Sequence, residues 1–454
     1  MRGGVSSWAD NFIRSFPQHE FVLWTIGAEN RNRGNFKYEL PDNVVEVKEI
    51  FLDDALELRA TASRRTYFSE DELLESSKLI RCENPDWEVL FKCYNVERKN
   101  PVEFLMNEQF LIIMKEMCRE KYPYAAFSDL FHTLRSMFLP LLYLMGQDPP
   151  NADIYHSTAA GYSGILGVIG KWKNQRPFIL SEHGIYTRER EEEILRAKWV
   201  LPYFKDMWID LFYMLSRCAY KHANLVTSLF ERAKNVQIEL GCPPEKCLVI
   251  NNGVRPEKFE KIPAKEDNEY IDIGAIVRIA PIKDIKTMIY SFAELKQRVA
   301  NARLHILGDT DDENYYDECI QLVQQLNVKD IIFVGNTDVS IYMRKLDFVI
   351  LTSVSEGQPL SIIESMFADR PCVATDVGCC RDLIEGSEND NLGMAGICVP
   401  PMHRMALTEA MEKLCKNSSL RRKMGMVGHK RATCYFTHSE MIKKYQDLYE
   451  RVRV

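Results

Sequence analysis

What constrains this chain most is a regular alternation in its C-terminal half, where short apolar, β-rich runs are separated by stretches of helical period. The run 271–277 precedes a helical pattern over about 285–299, and 304–307 precedes one over 315–326. Then come 331–334, a helical stretch near 339–345, the run 348–351, a helical stretch over 360–367, and 371–374. Strands that are apolar along their length and separated by helices predict a parallel sheet covered on both faces. Five such strands in order define a doubly wound domain.

Upstream, the runs 21–24, 44–47, 154–156, 178–180, 225–227 and 247–250 predict a second parallel sheet. The stretch 51–147 is mostly helical in pattern and longer than a crossover needs, so it predicts a helical insertion. The class is α/β with two Rossmann-like domains, as a length of 454 residues requires, because single cores stop growing near roughly 250–300 residues. The Asn-Gly turn and proline of Asn251-Asn-Gly-Val-Arg-Pro256 mark the linker. The predicted domains are therefore 1–255 and 270–438. A terminal helix over 439–454, with a stripe of Met441, Tyr445, Leu448 and Val452, is expected to pack back on the first domain.

Composition excludes several classes. Lys and Arg number 58 against 65 Asp and Glu, a net charge of −7 with no basic tract, which disfavours nucleic acid as a partner. Thirteen cysteines in no zinc spacing read as reduced thiols of a cytoplasmic protein. The apolar run 137–145 is broken by Pro140 and falls short of the roughly 20 residues that span a bilayer. Membrane association is then expected only through protein partners.

Open parallel sheets bind ligands outside the carboxyl ends of their strands. Arg278 and Lys283 follow the first strand of the second domain, beside a helix start at Ile285. Cations are misplaced at a helix N-terminus unless an anion sits between them, and a diphosphate fits. Solvated surface cations balanced by Asp284 are the plain alternative. After the run 348–351, Gly357 permits close approach to a ligand and Pro359 suits a first helical turn. Glu364 then falls on the inward stripe of its helix, where sugar or ribose hydroxyls would satisfy it. Its alternative is a structural Glu capping local amides. In the first domain, Ser181-Glu-His-Gly184 places His183 at a strand end, while His156 ends another strand without a glycine beside it. The run 188–194 reads as a solvated helix start. Arg2-Gly3-Gly4 before a helical pattern has the form of a phosphate-approaching loop, or of a mobile terminus.

Taken together, Glu356-Gly357-Gln358-Pro359-Leu360-Ser-Ile-Ile-Glu364, Asn252-Gly253-Val254, and the Arg278 and Lys283 pair resemble glycosyltransferase family 4. The resemblance implies the GT-B fold, in which the two domains face a cleft, and a retaining hexosyltransferase of exopolysaccharide (biofilm) biosynthesis using UDP-glucose. By that resemblance Glu364 binds ribose, Glu356 binds the donor hexose, and Arg278 and Lys283 neutralise the diphosphate. The segment Gly357, Gln358, Pro359 and Leu360, with Gly3 and Gly4, holds sugar and phosphates. His183 touches the hexose or leaving group, and Gly335 and Asn336 seat the base. It further implies a polysaccharide acceptor, inner-membrane synthesis proteins as docking partners, and neither cofactor nor metal. The motifs assigned to the cleft contain no Asp-x-Asp metal site. Related chains place a strand before the Arg-Gly-Gly segment, so the first sheet is expected to lack that strand. Same-face attack assisted by the leaving phosphate is the favoured mechanism. A GT-B nucleotide-sugar epimerase and a catalytically silent scaffold of a polysaccharide export complex are the competing readings.

Overall fold

The computed structural model describes residues 4–36, 39–60, 67–259, 262–266, 268–387 and 390–453. Two compact units emerge, one of residues 1–249 with 447–454 and one of residues 250–446. The chain passes from the first to the second just before the Asn251–Pro256 turn.

In the first unit, β1 (Phe21–Gly27) and β2 (Val44–Phe51) pair in parallel as one ladder. A separate parallel sheet has the order β3 (Tyr155–Ser157), β4 (Phe178–Ser181), β5 (Leu225–Ser228) and β6 (Cys247–Val249). The sequence had placed all six in one sheet. The difference follows burial, since β4 and β5 are buried at every residue whereas β1 is half-buried along its length.

Helix α1 (Gly4–Arg14) precedes β1. The stretch between β2 and β3 is the helical insertion, with α2 (Glu70–Ile80), α3 (Trp87–Phe91), α4 (Pro101–Leu105), α5 (Glu108–Glu120) and α6 (Phe127–Met145). Its first four helices start where the sequence supplies caps, whereas α6 starts after Ala126 without one. Ser69 and Glu72 form a reciprocal capping box on α2, and Asp86, Asn100 and Asn107 cap the next three. Leu134, Phe138 and Leu142 of α6 join one hydrophobic core with Phe178 and Leu180 of β4. Helices α7 (Tyr162–Asn174), α8 (Tyr186–Arg196), α9 (Lys205–His222) and α10 (Glu231–Glu239) complete the unit.

The second unit has a six-stranded parallel sheet of β7 (Ile271–Ile276), β8 (Ala302–Leu307), β9 (Ile331–Gly335), β10 (Phe348–Leu351), β11 (Cys372–Thr375) and β12 (Gly396–Val399). Their order is β12-β11-β10-β7-β8-β9. The winding reverses between β7 and β10, the topological switch point where such sheets bind ligands. Strand β12 was not foreseen, because it is a short edge strand that opens on a glycine. The helices are α11 (Ile285–Arg298), α12 (Glu313–Gln325), α13 (Val339–Met343), α14 (Leu360–Phe367), α15 (Cys380–Glu385), α16 (Arg404–Lys416), α17 (Ser418–Tyr435) and α18 (His438–Arg453). The end of α18, from Asp447, belongs to the first unit, where the Tyr449 hydroxyl lies 2.8 Å from His156 Nδ1. No helix among the described residues is long and apolar enough to cross a membrane.

Candidate active site

At the switch point, the loops after β7 and β10 are tied to each other. Thr352 Oγ1 donates to the carbonyls of Lys283 (2.8 Å) and Asp284 (3.2 Å), and Val354 N donates to the Ile282 carbonyl at 2.9 Å. Asp284 adopts a left-handed conformation (φ 45°) and caps α11 by accepting from Thr287 N at 3.3 Å. From the other side, Thr375 Oγ1 donates to the Ser353 carbonyl at 2.6 Å, and Cys379 N to the Gly357 carbonyl at 3.1 Å.

This lacing sets two side chains on one atom of a third. Lys283 Nζ lies 2.5 Å from Glu356 Oε1, and Ser353 Oγ donates to the same oxygen at 2.5 Å. Ser353 is fully buried, and the Lys283 and Glu356 side chains are only 16% and 11% exposed. In such a partly desolvated setting a charge-assisted bond is roughly twice as strong as a neutral one. Arg278 does not join them. It ion-pairs with Asp311, and both of those side chains are exposed.

Glu364 sits half-buried in α14 and accepts no side-chain hydrogen bond among the described residues. The capping alternative is therefore not realised. Burial pushes its carboxyl up to about 7, and Lys258 opposes the shift. Pro359 is the N-cap of α14 rather than its first helical residue, which is Leu360. The Gln358 side chain is buried, its Oε1 accepting from Asn252 N at 2.6 Å, so it anchors the loop. Gly335 ends β9 with φ 77°, and Asn336 Nδ2 donates to Asp309 Oδ2 at 3.2 Å. That contact exposes an omission. Asp309-Thr310-Asp311 does have the Asp-x-Asp spacing, at the carboxyl end of β8, with Asp309 bonded to Asn336 and Asp311 to Arg278.

In the first unit, β4 delivers Glu182 and His183. Glu182 is buried, with Oε2 accepting from the Tyr220 hydroxyl at 2.6 Å and from Gln237 Nε2 at 2.9 Å. The neighbouring His183 packs on Trp8 with ring centroids 4.2 Å apart, and its buried Nε2 has no hydrogen-bond partner among the described residues. Burial pushes His183 down to about 4, so the imidazole is neutral at physiological pH. His156 uses both ring nitrogens, on Tyr449 and on Ser181. The run 188–194 is not uniformly solvated. Ile194 is buried, and the Glu189 carboxyl fills the space where a Gly184 side chain would stand. Gly4 opens α1, whereas Arg2 and Gly3 lie outside the described residues.

The sequence reading missed Ser353, Asp311 and Glu182. Ser353 stands three residues before Glu356, and its spacing alone could have flagged it. The others needed the tertiary contacts.

Two parallel-sheet units and a loaded switch point define a glycosyltransferase of GT-B fold. The chain belongs to the family described as Domain of unknown function (DUF3492), whose model matches residues 1–245, and residues 254–431 match Glycosyl transferases group 1. It is a glycosyltransferase of the group 1 type. Among similar proteins, MMP alpha-(1->4)-mannosyltransferase of Mycolicibacterium hassiacum is 21% identical over 66% of this chain and 70% of its own length. The capsular polysaccharide biosynthesis glycosyltransferase CapM of Staphylococcus aureus is 24% identical over 70% of this chain and 81% of its own. Of solved structures, sucrose-phosphate synthase from Thermosynechococcus elongatus matches with a TM-score of 0.59 at 15% identity, covering 99% of this chain and 93% of that one. Anabaena HepE, solved in complex with UDP and glucose, matches with a TM-score of 0.52 at 18% identity, over 66% of this chain and 77% of that one.

Proposed function

We propose that the chain is a retaining hexosyltransferase that moves glucose from UDP-glucose to a growing exopolysaccharide. The observation that carries this reading is the Lys283, Glu356 and Ser353 cluster at the switch point of a group 1 domain, with a Glu364 carboxyl in α14 that has no hydrogen-bond partner among the described residues. A UDP-sugar needs a cation for its diphosphate and carboxylates for its sugar and ribose hydroxyls, and these residues supply them. The UDP complexes of HepE support the choice of nucleotide. Arg2–Trp8 and Ser181–Glu189 resemble the corresponding segments of PelF, an exopolysaccharide glycosyltransferase, which supports the acceptor class and docking on inner-membrane synthesis proteins.

Lys283, joined by Arg278 when it leaves Asp311, stabilises the charge that grows on the diphosphate as the glycosidic bond breaks. Glu356 presents its second carboxylate oxygen to a hexose hydroxyl, and Glu364 takes the ribose hydroxyls. With both glutamates assigned to hydroxyls, no carboxylate serves as the nucleophile of a double displacement, and the acceptor attacks on the face the diphosphate leaves. No metal takes part. A screen of UDP release across UDP-glucose, UDP-N-acetylglucosamine and GDP-mannose tests the reading. UDP-glucose is expected to turn over fastest, and isomerised nucleotide sugar or no release from any donor would overturn it.

A further inference from the structure

The cation that should hold the diphosphate is already occupied by one of the protein's own anions. Lys283 Nζ and Ser353 Oγ both bind Glu356 Oε1, each at 2.5 Å. We infer that Glu356 and the nucleotide diphosphate compete for Lys283, and that Ser353 is the positioning residue that keeps the Glu356 carboxylate satisfied when Lys283 turns to the phosphates. The inference rests on the nucleotide-sugar reading above and extends it to how the product leaves.

The argument is one of exchange. In the free protein Lys283 is neutralised from within, so an arriving diphosphate gains the phosphate contact only by giving up the pair with Glu356. A nearly buried carboxylate that loses its counter-ion carries a large penalty unless another donor remains. Ser353 is that donor. It is fully buried, and its backbone is fixed by Thr375, so its hydroxyl stays on Glu356 Oε1 whether or not Lys283 is there. The surrounding loops share the strain of the exchange little, because Thr352 holds the Lys283 carbonyl and only the side chain has to turn. Once the sugar has gone, Glu356 has lost its hexose hydroxyl and draws Lys283 back, which weakens the hold on UDP. Glu356 thereby serves the donor in one step and the release of the nucleotide in the next.

Two residues that touch the same oxygen should then act on UDP affinity with opposite signs. Removing the charge in Glu356→Gln frees Lys283 and is expected to tighten UDP binding roughly 3- to 10-fold, more than an exposed ion pair would give because both side chains are mostly buried. Removing the hydroxyl in Ser353→Ala strands the carboxylate and is expected to weaken UDP binding by a similar factor. In the double variant the Ser353 effect should vanish, since no charge remains to be held. Uridine, which has no phosphates, should bind all forms alike.

The measurement is calorimetric binding of UDP and uridine to the full chain, with melting temperatures recorded for every variant. If Glu356→Gln fails to fold, Glu356→Asp, which shortens the reach to Lys283, is expected to tighten UDP in its place. UDP binding that is unchanged or weakened in the folded Glu356 variant overturns the inference, and so do equal shifts of the same sign from Glu356 and Ser353. If the wild-type chain binds none of UDP, GDP and ADP, the nucleotide-sugar reading falls and takes this inference with it, an outcome distinct from binding that ignores the variants.

Discussion

Gly378 lies so close beneath Glu356 that a Cβ on it would overlap the carbonyl oxygens of Glu356 and Gly357, and its φ of 56° is one that side chains other than glycine adopt at a cost. The loop that carries the candidate hexose-binding carboxylate therefore rests on a residue that must have no side chain. Gly378→Ala is expected to cost about 1–3 kcal/mol of stability from strained backbone alone. Turnover should fall much further, on the order of 100-fold, because displacing a reacting group by about 1 Å has that effect. Denaturant unfolding measured beside donor turnover checks the split. Equal, small losses in both would show that the loop position does not matter.

Lys283 and Arg278 differ in burial, and their variants should differ accordingly. Arg278 and Asp311 are 54% and 39% exposed, so Arg278→Ala should change stability by less than about 1 kcal/mol. Lys283→Met leaves Glu356 without its counter-ion and should lower the melting temperature measurably. In both variants kcat should drop more than donor affinity, since diphosphate charge grows as the bond breaks. Steady-state kinetics with the preferred donor provides the comparison.

Transfer is expected to proceed undiminished in EDTA. The diphosphate has cations in Lys283 and in the Arg278 that leaves Asp311, and Asp309 is engaged by Asn336. A reproducible loss of activity, restored by Mg²⁺ or Mn²⁺, would reassign Asp309 and Asp311 to a metal.

Much of this was legible in the chain. Unbroken apolar runs gave β7 to β11 of the second unit and the 3.6 period gave α11 to α14, with the bounds of α14 where the pattern put them, because parallel strands buried on both faces are apolar along their length. The motif from Glu356 to Glu364 was legible as the loop and helix that follow β10. Pairing between distant residues was not legible. Arg278 and Lys283 stand five apart and read as one clamp, yet tertiary structure gives one to Asp311 and the other to Glu356. The split of the first sheet was hidden too, since the apolar character of 21–24 and 44–47 states that they are strands but not which edge they share.

The last prediction concerns the protonation of Glu364. Burial raises its carboxyl from an ordinary 4.5 to about 7. A folded-state value above the unfolded one means that the folded protein holds the proton more tightly. That contribution to stability is fully present below about pH 4.5 and is lost as pH rises through about 7. Glu364→Gln, which never ionises, should thus match the wild type near pH 4.5 and exceed it at pH 8 by at most about 3.5 kcal/mol, the shift taken at about 1.4 kcal/mol per unit. Binding should run the other way. Ribose hydroxyls donate to an ionised carboxylate, so UDP affinity of the wild type should climb several-fold between pH 6 and 8, beyond any slope due to the titration of UDP itself. Glu364→Gln should keep only the UDP slope and bind about 10- to 150-fold more weakly at pH 8, the equivalent of roughly 1.5–3 kcal/mol for one charge-assisted group. His183, depressed to about 4, stays neutral throughout this window and adds no slope. Calorimetric UDP titrations at pH 6, 7 and 8 on both proteins decide the matter. Affinity that falls with pH only in the wild type would mean that the protonated carboxyl is the binding form, donating to a ribose oxygen. Identical slopes and affinities in the two proteins would remove Glu364 from the nucleotide site.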